Sequence, residues 1–137
     1  SETDIVRVLA PSKEGSMTVK VFDFTNKTEN PHYEGVCDIA PADLHQNMSK
    51  VKMIDVRQPD EFIGELGHVP GSELLVLDTL PDHLEDLPKD QTIVFICRSG
   101  GRSAKATAFA MMNGFKNVYN MYGGMLHWNE LQLPVER

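Results

Sequence analysis

One stretch constrains this chain more than any other: Ile93-Val94-Phe95-Ile96-Cys97-Arg98-Ser99-Gly100-Gly101-Arg102-Ser103. Four consecutive apolar residues, β-branched or aromatic, read as a strand buried on both faces. After Ser103 the run containing Ala104, Ala106, Ala108, Phe109, Met111 and Met112 has helical character. A strand joined to a helix by a tight glycine loop turns backbone N–H groups toward one point, at the positive end of the helix dipole. Cys97 stands where that loop begins, with Arg98 beside it and Arg102 at the loop's end. Amide donors and guanidinium groups favour the thiolate, the form in which cysteine acts as a nucleophile. The plain alternative is a buried structural cysteine at a strand end. The glycine pair, the two arginines and the following helix weigh against it.

Composition bounds the remaining choices. A chain of 137 residues is long enough for one hydrophobic core without disulfide staples. A formal net charge of −7 argues against nucleic acid or an anionic membrane as the main partner. An anionic ligand must therefore be drawn in locally, by Arg98, Arg102 and the loop amides. No apolar run approaches a membrane span, and no charged-then-apolar secretory signal is present. Cys37 and Cys97 do not make a disulfide framework, so a reducing cytoplasm is the expected setting. The five histidines show no metal-ligand spacing, and neither a metal nor a cofactor is expected.

Taken in order, the chain starts with two strand-like segments, 5–9 and 17–24, around the turn-rich residues 11–15. A β-hairpin is one way to read them. Residues 25–35 are polar with a proline and read as a linker. Residues 1–35 are thus expected to form an N-terminal extension that covers a sheet edge, mediates a homodimer, or joins a partner or fused protein. The sequence leaves that choice open. From residue 36 the rhythm changes. A helix is expected over 39–48 with Pro41 at its first position, then a strand over 51–56 and a short helix from Pro59. Turn formers fill 67–72, followed by a strand over 74–77, helical spacing over 80–87, and the strand over 93–96. A helix over 102–113 closed by Gly114, a strand over 118–121, a Gly123-Gly124 turn and a helix over 125–131 complete the pattern. Such alternation predicts a parallel α/β sheet covered on both faces, with ligands at the carboxyl ends of the strands. Cys97 lies at one such end.

Three groups of residues then appear in a fixed order: Asp55-Val56-Arg57 with Glu61-Phe62 and Gly67-His68-Val69-Pro70-Gly71; Cys97 through Ser103; and Gly123-Gly124-Met125 with Trp128. Over residues 36–134 the chain resembles the rhodanese (sulfurtransferase) family. That resemblance implies a rhodanese-like domain over 36–137, with a five-stranded parallel sheet flanked by helices. It also implies a persulfide carried on Cys97, with Arg98, Ser99, Gly100, Gly101, Arg102 and Ser103 around the substrate. The stretch 63–66 is slightly longer than in many relatives and should only lengthen a surface turn. Asp55 and Arg57 read as a supporting ion pair, and His68 as a structural hydrogen-bonding residue. Trp128 is expected in the core, and Cys37 as a small buried hydrophobe rather than a resolving thiol.

The leading functional expectation is therefore sulfur transfer through Cys97. A small anionic donor, thiosulfate or a persulfide, would supply the sulfur, and a thiol or cyanide-like acceptor would receive it. Arg98 is expected at the pocket mouth, and Arg102 either on the anion or bridged to a carboxylate such as Asp55. Two alternatives stand beside this. A cysteine-dependent phosphatase is disfavoured because four residues separate Cys97 from Arg102, one fewer than such phosphatases use, and no proton donor for a leaving alkoxide is evident. A non-catalytic binding or redox-sensing module has no physical need for an intact cysteine between two arginines.

Overall fold

The computed structural model describes residues 21–137. The hairpin expected over the first 24 residues lies outside that range except for 21–24, which are irregular chain. The strands are β1 (Lys27–Glu29), β2 (Cys37–Ile39), β3 (Lys52–Asp55), β4 (Glu73–Leu74), β5 (Ile93–Ile96) and β6 (Val118–Met121). The helices are α1 (Pro41–Gln46), α2 (Pro59–Phe62), α3 (Leu80–His83), α4 (Gly101–Met112) and α5 (Gly124–Glu130). Single 3₁₀ turns occupy Met48–Lys50, Leu77–Thr79 and Leu84–Asp86.

The sheet runs β1-β2-β6-β5-β3-β4. Its last five strands are parallel, and β1 is added antiparallel on β2. Strand β5 is central and buried along its whole length, as an unbroken apolar run should be. Its side chains alternate between two cores. Val94 and Ile96 pack with Met121, Met125 and Trp128. Ile93, Phe95 and Cys97 pack with Leu80, Leu84, Ala106 and Ala110. Helices α1 and α5 therefore cover one face, and α3 and α4 the other. The parallel register sets Asp55 opposite Ile96 and Asn120 opposite Phe95, so three strand ends meet beside Cys97.

The structure corrects the reading from sequence at three places. The sheet holds the five parallel strands expected and a sixth, antiparallel, at its edge. Its extra strand β1 is exposed and polar, and lies in the stretch expected as a linker. An edge strand bearing Lys, Thr and Glu shows no hydrophobic alternation from which it could be read. Residues 37–39 form strand β2, where a helix was expected to begin at Ile39. The helix waits for Pro41, whose fixed φ and missing N–H suit a first helical position. The strand expected over 74–77 shortens to two residues at the sheet edge, and the chain then enters a 3₁₀ turn.

Residues just ahead of β1 are also part of the core. Phe24 is buried, packs edge-on against Phe22 and Tyr119, and lies beside Asp23, which accepts a hydrogen bond from the Tyr119 hydroxyl. Among the described residues no helix is long and apolar enough to cross a membrane.

Candidate active site

The chain leaves β5 at Ile96 and re-enters helix at Gly101, with Cys97, Arg98, Ser99 and Gly100 between. Gly100 precedes α4 with φ of 105°, a conformation that a side chain would resist. This turn brings its N–H back onto the sulfur: Gly100 N–H donates to Cys97 Sγ at 3.0 Å. Ser103 Oγ, one turn into α4, lies 3.2 Å from the same sulfur. The N–H groups of Ser99, Gly101, Arg102 and Ser103 find no acceptor among the described residues. Four free donors at the N-terminus of a twelve-residue helix favour an anion there. Fewer donors touch the sulfur itself than the sequence led us to expect, because one N–H and one hydroxyl already surround it.

The loop is clamped from behind by α5. Met125 N–H donates to Cys97 O at 2.8 Å, and Leu126 N–H to Arg98 O at 3.0 Å. So close an approach needs a glycine: a Cβ on Gly124 would stand 2.4 Å from the Arg98 carbonyl. Gly124 also holds φ of 60°, following Gly123 at 73°. The Gly123-Gly124 pair is thus part of the loop's support as well as a turn.

Among the described residues, the charged side chains around the loop form two fixed pairs and leave one cation without an ion pair. Arg57 and Asp55 are both buried, and the guanidinium grips the carboxylate with Nε on Oδ1 at 2.9 Å and Nη2 on Oδ2 at 2.8 Å. Arg57 Nη2 also donates to Gly67 O at 2.6 Å, tying the turn before His68 to the end of β3. Arg102 is bridged to a carboxylate, but to Glu61 of α2 instead of Asp55, with Nη1 on Oε1 at 2.8 Å and Nη2 on Oε2 at 3.0 Å. Asp55 is taken up by Arg57, its neighbour two residues on. Arg98 is exposed, forms no ion pair among the described residues, and lines a cleft of about 410 Å³ with Arg57, Glu61 and Leu126. Ser99, Gly100 and Gly101 line a second cleft of about 680 Å³ that also contains Tyr33, Asn120, Tyr122 and His127.

His68 stands apart from this chemistry. Its Nδ1 lies 2.7 Å from Phe62 O, an atom that can only accept, so Nδ1 carries the proton. Its ring stacks on Phe62 at 3.7 Å, and its backbone pairs with Glu136. The stretch 63–66 forms the turn just ahead of it. Trp128 is fully buried and donates Nε1–H to Pro134 O. Cys37 is half-buried and packs against the core opposite the one that holds Cys97, and both thiols are free.

The Arg102 guanidinium holds the Glu61 carboxyl at about 2, well below the usual carboxylate range, and the Gln58 N–H adds to the effect. A depressed folded-state value means that the bridge stabilises fully above the ordinary glutamate range and is lost as pH falls toward 2. Glu61→Gln is therefore expected to melt below the wild type at neutral pH. The two melting curves should converge as the buffer is taken through pH 4 toward pH 2. A gap that stays constant over that range would show that the carboxylate charge is not what matters.

Sequence reasoning passed over two buried polar residues at this site, Asn120 and Asp38. Asparagine is uncommon in strands, so Asn120 in the middle of β6 was a readable signal. Asp38, in a strand too short to recognise, offered none.

Comparison with known proteins agrees with this architecture. Residues 40–131 match the model of the rhodanese-like domain. The chain belongs to the rhodanese-like family. A sulfurtransferase of Allochromatium vinosum is 35% identical over 85 residues, covering 62% of this chain and 78% of that protein. A thiosulfate sulfurtransferase of Pseudoalteromonas translucida is 33% identical over 78 residues, covering 57% and 72%. Among solved structures, a rhodanese-related protein from Thermoplasma volcanium superposes with a TM-score of 0.68 at 32% identity, covering 72% of this chain and 96% of that one. With these relatives and this fold, the protein is a rhodanese-type sulfurtransferase.

Proposed function

We propose that this rhodanese-like protein moves a sulfane sulfur from thiosulfate or a persulfide donor to a thiol or cyanide-like acceptor, through a persulfide on Cys97. The observation that carries the reading is the position of Cys97 Sγ. It accepts from Gly100 N–H, beside four loop N–H groups with no protein acceptor. In the first half-reaction the Cys97 thiolate attacks the sulfane sulfur of the donor. The donor's S–S bond breaks, its electron pair leaves with sulfite or a thiolate, and Cys97 holds the terminal sulfur as an anion. In the second, the acceptor attacks that terminal sulfur and the Cys97 thiolate returns. Both leaving groups depart as anions, so no general acid is required. The free loop amides and the unpaired Arg98 are the groups that would meet the donor's negative charge. Thiosulfate as donor is supported by the name of the Pseudoalteromonas translucida relative.

The phosphatase reading is weaker on the structure than on the sequence. Arg102, the residue that a phosphatase reading would turn toward the phosphate, is held by Glu61 through Nη1 and Nη2.

Mass spectrometry of the protein incubated with thiosulfate tests the proposal. The peptide holding Cys97 is expected to gain one sulfur atom, and cyanide should remove it with release of thiocyanate. A phosphate ester offered in parallel should remain intact. Sulfur found only on Cys37, or on neither cysteine, would overturn the reading.

A further inference from the structure

Beyond the loop, a chain of buried polar side chains runs from the N-terminal edge of the sheet to Cys97. Its hydrogen-bond direction is dictated from its far end. Asn30 Oδ1 accepts the backbone N–H groups of His32 and Tyr33, at 2.8 and 3.1 Å, so the other half of its amide is the donor. That Nδ2 donates to Asp38 Oδ1 at 3.0 Å. Asn120 Nδ2 donates to the same oxygen at 2.9 Å. With its Nδ2 committed there, Asn120 turns Oδ1 to Ser103 Oγ, which is within hydrogen-bonding distance. Ser103 Oγ has only one proton, and its other neighbour is Cys97 Sγ at 3.2 Å. Asp38, Ser103 and Asn120 are each at least nine-tenths buried.

We propose that Asp38 and Asn120 are positioning residues that hold the Ser103 hydroxyl proton on Asn120, so that Ser103 presents a lone pair, not a proton, to Cys97. The proposal rests on Cys97 being the nucleophile. In this arrangement the thiol donates to Ser103 Oγ, and the pair opposes loss of the thiol proton. A thiolate gains the hydroxyl as a donor only if Ser103 turns away from Asn120, which leaves Asn120 Oδ1 buried without a partner. Charging of the sulfur is thereby coupled to the rotation of one hydroxyl. Asn30 and Asp38 precede the residues matched by the family model, and Ser103 and Asn120 lie within them. The charged groups near the sulfur are Arg102 of α4, Arg98 of the loop, and Asp55 at the end of β3, itself paired with Arg57. None of these is altered below.

The test is the pH profile of Cys97 alkylation by iodoacetamide, in the full chain carrying Cys37→Ser. Asn120→Leu removes the competing acceptor and leaves sulfur as the partner for the Ser103 proton. The profile should move to lower pH, with alkylation at neutral pH faster by about ten-fold, the lower end of what one hydrogen bond to a charged acceptor is worth. Ser103→Ala removes the oxygen to which the thiol donates and supplies no proton to the thiolate, so it should also move the profile to lower pH, by less than Asn120→Leu does. In the Ser103→Ala background, Asn120→Leu should change nothing, an outcome that a merely structural asparagine would not produce. Asp38→Asn keeps the shape of the side chain while letting the Asn120 amide turn over, and should move the profile in the same direction as Asn120→Leu. If Asn120→Leu does not fold, Asp38→Asn is compared with and without Ser103→Ala, because loss of the Asp38 charge acts on the sulfur in both and only the part lost with the hydroxyl belongs to the proposal. A profile unmoved or raised in Asp38→Asn, or an Asn120→Leu effect that survives without the Ser103 hydroxyl, overturns the proposal. Because the readout is alkylation and not turnover, its failure is distinct from a failure of sulfur transfer at Cys97.

Discussion

Replacing Cys97 with serine is expected to abolish sulfur transfer while leaving the protein folded. A hydroxyl cannot carry a sulfane sulfur under these conditions, so turnover of thiosulfate should fall on the order of 10³-fold or more, to the background rate. The fold should tolerate the change well. Ser at this position is smaller by little, and the Gly100 N–H and Ser103 hydroxyl that approach the sulfur can pair with an oxygen instead. The melting temperature is therefore expected to move by only a few degrees. Cys37→Ser serves as the companion, since that residue packs on the opposite face of the sheet and should be nearly silent in turnover. A folded Cys97→Ser protein that still transfers sulfur would remove the cysteine from the mechanism.

The largest effect on stability is expected from Asp55→Ala. The side chains of Asp55 and Arg57 are 0% and 1% exposed, and the carboxylate receives the guanidinium through two nitrogens and the Arg57 N–H besides. Truncating the acid leaves a buried guanidinium with Gly67 O as its remaining partner. Loss of one member of a buried pair costs about 3–5 kcal/mol, which for a domain of this size lowers the melting temperature by roughly 10–20 °C. The double replacement Asp55→Leu with Arg57→Leu should cost much less than Asp55→Ala alone, because no unpaired charge remains in the core. Thermal unfolding of the two variants decides between these outcomes. If the single variant melts within a few degrees of the wild type, the pair is not an uncompensated burial problem, and its place beneath the loop has some other cause.

The two effects differ in kind because the residues differ in where they stand. Cys97 lies at the end of β5, where its chemistry is reached by ligand. Asp55 lies at the end of β3 beside it, where its partner anchors the turn at Gly67 and, through the α2 that follows, carries Glu61 to Arg102. One residue reacts, and the others hold the reacting loop in place.

Local sequence was sufficient for the features whose physics is local. The unbroken apolar run at 93–96 could only be a central strand, and its glycine-bearing exit could only be a tight turn into α4. Proline at the first position of α1 and α2, leucines 80, 84 and 87 on one face, and the glycine pair at 123–124 could all be read from spacing and backbone preference. A cation in the first turn of a helix is electrostatically out of place, which narrowed Arg102 to an anion contact or a carboxylate bridge. Tertiary structure alone decided which carboxylate it was. Glu61 lies 41 positions away, and Asp55 was already held by an arginine two residues on. Tertiary structure alone also made strands of residues 27–29 and 37–39, because three-residue elements carry too little periodicity to be read and exist only through the neighbours they pair with. The polar chain from Asn30 to Ser103 belongs to the same class. Asn30, Asp38, Asn120 and Ser103 come from four separate segments, and only the closing of the sheet brings their side chains into one line at Cys97.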